Sequence, residues 1–299
     1  MRIIALFGPT GVGKTALAIA LARGLRERGE DPVAVSADAM QVYRGLEVLT
    51  GAPTALEQGE LEHRLVSVVP VSERFSAGRY GEMAHAEIDR LIGEGRRPIL
   101  VGGTGLYLRA ALADLSLRPP VDPQVRDRLV RELNEVGAPA LHLRLREAAP
   151  WAADTIDPND GRRIVRSLEL YEAGELTPRG GPSELWSDDL RHPTLLIGLA
   201  MERAALYSAI DARVDEMVSR GALQEVLRAE RAGASETARR ALGFGELLEG
   251  DIDAMKRRTR NYARRQLTWM RKLPGARVLD VSGRDPGALA REILDSAAL

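Results

Sequence analysis

Residues 3–25 constrain this chain more than any other stretch. A short apolar run, Ile3-Ile4-Ala5-Leu6-Phe7, meets Gly8-Pro9-Thr10-Gly11-Val12-Gly13-Lys14-Thr15, and an Ala/Leu-rich helical pattern continues to Leu25. A strand, a G-x-x-x-x-G-K-T loop and a helix in that order make a phosphate-binding unit. The glycines let the backbone curl so that successive N–H groups point inward. Lys14 adds a positive point charge, Thr15 offers its hydroxyl to a magnesium ion, and the helix N-terminus adds its dipole. A plain Gly-rich turn would need none of these residue types together. The expected ligand is a polyphosphate ester, and which ester has to be read from the rest of the chain.

Length, charge and cysteine content narrow the field. With 299 residues the chain can bury a large core in one or two domains. Its net charge of -1 announces no bulk attraction to nucleic acid, so a polyanion-binding face would have to be local. The absence of cysteine excludes disulfides, a thiolate nucleophile and zinc-thiolate sites. The first apolar run is too short for a signal peptide, and none approaches the roughly 18 residues a membrane span needs. A cytoplasmic protein is expected.

The opening pattern of strand, turn and helix repeats. Pro32-Val33-Ala34-Val35-Ser36 reads as a second strand ending at Ala37-Asp38, Leu65 to Val69 as a third and Pro98-Ile99-Leu100-Val101 as a fourth. Tyr80 to Ile92 carries helical spacing between the last two. Short apolar strands alternating with helices predict an α/β fold: a P-loop-type parallel sheet flanked by helices. Ligands in such sheets sit beyond the carboxyl ends of the strands, which places Gly8–Thr15, Asp38 and Gly102-Gly103-Thr104-Gly105 around one crevice. The texture changes from Asp114. Leu117-Arg118-Pro119-Pro120-Val121-Asp122-Pro123 breaks the pattern, polar helical stretches follow, and Gly174 to Pro182 is rich in Gly and Pro. Residues 114–190 read as an inserted all-helical subdomain, with 1–113 and 191–299 forming the core. Thr194 to Ala200 is strand-like again. Glu202 to Ala232 reads as a helix or helix pair, Asp251 to Leu273 as a long helix, and Arg277 to Val281 as a last edge strand.

Three groups of residues can carry chemistry. Asp38, at the end of the second strand, suits a general base on an acceptor group, a carboxylate holding magnesium indirectly through one of the ion's own ligands, or a simple cap of the following helix or turn. The run Asp38-Ala39-Met40-Gln41 places hydrogen-bonding groups just past a strand end and favours a substrate loop. The fourth strand ends in glycines and Thr104, with no acid of the kind that helps motor and switch enzymes polarise water. That weakens ATP hydrolysis and leaves other group transfers open. The helix ending near Leu273 carries Lys256, Arg257, Arg258, Arg260, Arg264, Arg265, Arg271 and Lys272 with no acid between the two lysines. Tyr262, Gln266 and Trp269 recur along it on one face. Arg126, Arg128 and Arg131, and Arg162, Arg163 and Arg166, add basic clusters on the insertion. Three such clusters in a nearly neutral chain suggest a segregated positive surface for RNA phosphate or a diphosphate. The four histidines show no metal-ligand spacing.

These residues resemble the tRNA dimethylallyltransferase family, also called tRNA isopentenyltransferases. The likeness is carried by Gly8–Thr15; by Ser36-Ala37-Asp38-Ala39-Met40-Gln41-Val42-Tyr43-Arg44-Gly45-Leu46; by Phe75-Ser76-Ala77; by Gly102-Gly103-Thr104-Gly105-Leu106-Tyr107-Leu108; by Asn159-Asp160 with Arg162-Arg163; and by Thr259-Arg260-Asn261-Tyr262-Ala263-Arg264-Arg265-Gln266-Leu267-Thr268-Trp269. Departures are modest: Ala39 stands where the family usually has Ser, Thr50-Gly51-Ala52-Pro53 replaces a Gly-Thr-Ala-Lys-Pro run, and a paired His becomes His63-Arg64.

The resemblance implies transfer of a dimethylallyl group from dimethylallyl diphosphate to the exocyclic amine of the adenosine 3′-adjacent to the anticodon. It implies Asp38 as base and Thr104 beside the reacting groups. Gly8, Pro9, Thr10, Gly11, Val12, Gly13, Lys14 and Thr15 would hold the diphosphate with Mg2+, the ion on Thr15, and with Arg260 or Arg265. The extruded adenine would enter the stretch Asp38, Ala39, Met40 and Gln41. Arg126 and the stretch Arg162, Arg163, Ile164, Val165 and Arg166 would contact the anticodon stem-loop. One intact site per chain makes a monomer sufficient. A small-molecule or nucleoside kinase, with Asp38 acting on a hydroxyl, and a P-loop nucleotide-binding module are the competing readings; the basic helix and the insertion argue against the kinase.

Overall fold

The computed structural model describes residues 2–118, 121–178 and 184–296. Pro119 and Pro120 of the first break, and residues 179–182 of the second, lie outside the described residues. The chain divides into two compact units, Met1–Leu115 with Glu184–Leu299, and Ser116–Ser183.

The first unit opens with β1 (Ile3–Phe7), α1 (Lys14–Glu27), β2 (Pro32–Ala37), β3 (Tyr43–Arg44), α2 (Glu47–Thr50), α3 (Ala55–Glu60), β4 (His63–Arg64), β5 (Val69–Pro70), α4 (Ala77–Gly93), β6 (Arg97–Gly102) and α5 (Gly105–Leu112). The second unit holds α6 (Pro123–Val136), α7 (Ala138–Ala148), α8 (Pro150–Ala153) and α9 (Gly161–Glu172). The chain then completes the first unit with β7 (Thr194–Ala200), α10 (Arg203–Ser219), α11 (Ala222–Arg231), α12 (Phe244–Glu249), α13 (Ile252–Met270), β8 (Arg277–Asp280) and α14 (Pro286–Ser296).

Six strands form one all-parallel sheet in the order β4-β2-β6-β1-β7-β8. Parallel strands need both faces covered, which is why β1 reads as an unbroken apolar run: every residue from Ile3 to Phe7 is buried. α1 repeats Leu17, Leu21 and Leu25 every four residues, and these pack with Leu289 and Ile293 of α14 over Ile4, Leu6 and Ile197. Each fully buried leucine contributes about 1.5–3 kcal/mol. β6 lies between β2 and β1, so the loops leaving the carboxyl ends of β1, β2 and β6 are neighbours. These are the loops carrying Gly8–Thr15, Asp38 and Gly102–Gly105.

The strand expected at Leu65 to Val69 is not one strand. Leu65 and Ser67 have φ of 59° and 53°, left-handed values that break an extended run. The main-sheet strand ends at Arg64, and Val69-Pro70 pairs instead with Tyr43-Arg44 in a separate two-stranded sheet. Glu202 to Ala232 resolves into the pair α10 and α11, parted at Gly221 with φ 94°.

The second unit has its own core of Leu129, Leu141, Leu145, Ile164, Val165 and Leu168. Asp122 caps α6 and Asp160 caps α9, each accepting a backbone N–H from the first turn. Inside it Glu169, 1 % exposed, is held between Arg126 at 2.8 Å and Arg166 at 3.0 Å.

The close packing of β2 against β6 makes one position critical. A Cβ at Gly102 would lie 2.2 Å from the carbonyl oxygen of Ala37, a backbone atom with no rotamer in which to move away. Gly102→Ala is therefore expected to lower folding stability by about 1–3 kcal/mol, read as a shift of the urea midpoint. An unshifted midpoint would show that β2 and β6 can separate freely at their carboxyl ends.

Candidate active site

The phosphate loop is shaped by two glycines. Gly11 and Gly13 have φ of 82° and 92°, values that cost an L side chain about 1–2 kcal/mol. Gly13 is also the N-cap of α1, and no side chain caps the helix there, so its first N–H groups face the loop. Lys14 Nζ donates to the carbonyl oxygens of Gly8 and Pro9 at 3.0 and 2.9 Å. Burial pulls its ammonium down to about 8, with the Asp38 charge opposing that shift and Arg213 reinforcing it. Thr15 is half-buried, and its hydroxyl has no protein partner among the described residues.

Asp38 uses one carboxylate oxygen to organise its own loop. Oδ1 accepts from the backbone N–H of Met40 at 2.8 Å and of Gln41 at 3.3 Å. The turn-cap reading is thus part of its role, while Oδ2 has no hydrogen-bond partner among the described residues. Gln41 is fixed on both sides: its Oε1 accepts from Ser36 Oγ at 3.0 Å and its Nε2 donates to the Gly51 carbonyl at 3.1 Å. Thr104 Oγ1 accepts from the Ala39 N–H at 3.3 Å and lies 3.2 Å from the Tyr262 hydroxyl. That phenol is pushed up to about 12 by burial first and by Asp38 second, so it stays protonated as a hydrogen-bond donor.

α13 closes this cluster. Its face Tyr262, Gln266 and Trp269 meets the loops after β1 and β6, and glycines there make room for it. A Cβ at Gly103 would lie 2.2 Å from Gln266 Nε2, and one at Gly105 would lie 2.2 Å from the Trp269 ring. Gln266 Oε1 accepts from Thr10 N at 2.9 Å, and its Nε2 donates to the Gly103 carbonyl at 2.8 Å. The shared face of these three residues is legible in their spacing; what each touches is not.

The basic residues divide into engaged and available. Arg260 Nη1 reaches both oxygens of Asp211 at 2.6 Å. Lys256 pairs with Asp215, Arg258 with Glu246 and Arg257 with Asp251 at 3.7 Å. α13 has no acid in its latter part, but α10 and the loop and helix before it supply acids, so its first half is not a free positive face. Further on, Arg265 places its guanidinium 5.6 Å from the Tyr262 ring centroid, and Lys272 lies 5.7 Å from the Trp186 ring centroid. Arg265, Arg271 and Lys272 have no carboxylate partner among the described residues.

Arg213 is the residue that motif reading missed. Its Nη2 donates to the Gly51 carbonyl at 3.0 Å, while its Nε is buried without a partner. Burial lowers its affinity for a proton, and it acts electrostatically on both Lys14 and Asp38. One signal was present: Leu206, Ile210, Arg213 and Met217 share one helical stripe, with an arginine where an apolar residue belongs. The Gly51 carbonyl thus accepts from both Arg213 and Gln41.

In the insertion, taken by itself, Arg162 and Arg163 are exposed. Arg126 and Arg166 share Glu169. Ile164 and Val165 correct the expectation of RNA contact: they are 0 % and 2 % exposed and pack into the insertion core. The helix period turns them inward as it turns their neighbours outward. Among the described residues no group of three or more His, Asp or Glu side chains could hold a metal by itself.

Comparison with known proteins shows which family the chain is similar to. A family model described as IPP transferase matches residues 41–273. A tRNA dimethylallyltransferase of Kineococcus radiotolerans is 41 % identical over 98 % of this chain and 95 % of its own. Another, of Anaeromyxobacter dehalogenans, is 42 % identical over 98 % of this chain and 99 % of its own. The solved full-length tRNA isopentenylpyrophosphate transferase of Bacillus halodurans superposes with a TM-score of 0.69 at 35 % identity, covering 98 % of this chain and 94 % of that one. A eukaryotic dimethylallyltransferase, solved acting on tRNA, gives a TM-score of 0.71 at 28 % identity over 94 % of this chain and 74 % of its own. The motifs that line the crevice and the fold that assembles them therefore place the chain in the tRNA dimethylallyltransferase family, as a prenyl-transferring enzyme.

Proposed function

We propose that this enzyme transfers a dimethylallyl group from dimethylallyl diphosphate to the exocyclic amine of the adenosine 3′-adjacent to the anticodon of tRNA. The observation that carries the reading is that Lys14, with the open helix end at Gly13, and the unpartnered Oδ2 of Asp38 belong to the strand ends on either side of β6, tied together through Thr104, Ala39 and Gln266. A departing anion and an incoming nucleophile need those two functions side by side.

The bond from the allylic carbon to the diphosphate oxygen breaks, and the bond from that carbon to the adenine nitrogen forms. The electron pair leaves with the diphosphate, so negative charge grows where the loop amides, Lys14 and Arg213 stand. Arg265 is the better placed of the two arginines on α13, since Arg260 is held by Asp211. The amine lone pair is delocalised into the purine, and nitrogen attack leaves a proton to remove. Asp38 Oδ2 accepts that proton. Thr104 and the loop Asp38–Gln41 hold the extruded base.

Magnesium fits this site through the free Thr15 hydroxyl, because the ion takes most of its ligands from diphosphate oxygens and water and needs no carboxylate cage. It would neutralise charge on the leaving group. The exposed Arg162 and Arg163 suit the phosphates of the anticodon stem-loop. All the residues named for chemistry belong to one unit of one chain, so a monomer suffices. No described helix is long and apolar enough to cross a membrane, and a cytoplasmic site of action is in keeping with a tRNA substrate.

Incubation with labelled dimethylallyl diphosphate and unmodified tRNA is expected to place label on the RNA; label moving instead from ATP to a small molecule would support a kinase. Asp38→Asn is expected to lower kcat by about 10²- to 10⁴-fold while RNA affinity stays within about twofold. Normal turnover by that variant removes Asp38 as the base.

Lys14 makes the donor affinity pH-dependent. Its pKa is lowered, so it is charged below about 8 and neutral above. Donor affinity should be full below that value and weaken as pH rises through it, by at most about tenfold per pH unit. The donor KM of Lys14→Arg should lack that step, and a flat parent profile between about pH 7 and pH 9 would reject the assignment.

Because Arg166 also neutralises buried Glu169, the insertion is best tested through Arg162→Ala with Arg163→Ala. The slope of log affinity against log salt should fall by about 1 to 2. Unchanged affinity and slope would remove these two arginines from the RNA interface.

A further inference from the structure

Gln266 does something no other side chain of α13 does: it bonds to two of the three loops at once. It is 4 % exposed, its Oε1 accepts from Thr10 N at 2.9 Å, and its Nε2 donates to the Gly103 carbonyl at 2.8 Å. Thr10 is in the phosphate loop, Gly103 in the turn that presents Thr104. The two partners lie 256 and 163 positions away in sequence. Only a side chain with one donor and one acceptor on the same planar group can do this; a carboxylate lacks the donor and an ammonium lacks the acceptor. Gly103 is tailored to the contact, since a Cβ there would lie 2.2 Å from Nε2. One turn before it on the same face, Tyr262 reaches Thr104 at 3.2 Å, and on the other side Trp269 rests on Gly105.

We propose that Gln266 is a positioning residue for prenyl transfer, its amide setting the distance between the phosphate loop, where the leaving group sits, and the Gly103–Thr104 turn beside Asp38. The inference rests on the donor and acceptor reading given above. With the Thr10 N–H taken up by Gln266, diphosphate contacts fall to the later loop amides and Lys14, so loss of Gln266 alters alignment more than binding. A displacement of about 1 Å between reacting groups costs on the order of 10²-fold in rate.

The test is steady-state kinetics of the full chain with dimethylallyl diphosphate and an anticodon stem-loop RNA, expressed per folded molecule, for Gln266→Ala and Gln266→Glu. Glu keeps the shape and the bond from Thr10 but turns a carboxylate oxygen on the Gly103 carbonyl, so it covers the case in which Ala fails to fold. In both variants kcat is expected to fall by about 30- to 100-fold, with the KM of each substrate within about threefold. A kcat within twofold of the parent in either folded variant overturns the proposal. So does a loss confined to KM or to the unfolding temperature. If the parent chain itself puts no label on RNA, the donor and acceptor reading fails instead.

Discussion

Everything at this site depends on how closely bare backbone can approach bare backbone at the carboxyl ends of β1, β2 and β6. Gly102 touches Ala37 across the sheet, Gly103 touches Gly8 and Gln266, and Gly105 receives Trp269. Removing side chains there lets main-chain N–H and C=O groups and one helix converge on a small volume. The convergence leaves directional dipoles already held in place by the fold, the kind of arrangement from which preorganised electrostatic stabilisation arises.

That arrangement has a cost written into the cations. Lys14 finds only carbonyl oxygens, and Arg213 keeps a buried Nε with no partner. Each is held near Asp38, but neither is neutralised by a contact with it, and desolvation lowers the proton affinity of both. Positive charge kept without a full counterion is stabilised by the arrival of an anion.

The basic surface is smaller than the residue count suggests. On α13, acids from other elements engage Lys256, Arg258 and Arg260. In the insertion, Arg128 and Arg144 share Glu172, and Arg126 and Arg166 share Glu169. Those pairs with both partners exposed add little stability singly. What they do is fix which basic groups remain outward: Arg162 on α9, with Arg163 exposed beside Asp160 at 3.5 Å, Arg265 on α13 and Arg271 just after it. A near-neutral chain can thus present local positive charge without a large net field.

By itself the sequence determined the phosphate loop, the parallel α/β plan and the meeting of Asp38 with Gly102–Gly105, because these follow from local residue types and from the rule that loops at adjoining strand ends converge. Periodicity also showed that Tyr262, Gln266 and Trp269 share a face. Only the tertiary structure decided the rest. Two positive-φ residues, Leu65 and Ser67, redirected an apparent strand, Ile164 and Val165 turned into a core, Arg213 reached the Gly51 carbonyl, and Gln266 bonded to loops 256 and 163 positions away from it. Those outcomes depend on which surface each element finds opposite it, and contacts between distant segments leave no periodic trace in either segment alone.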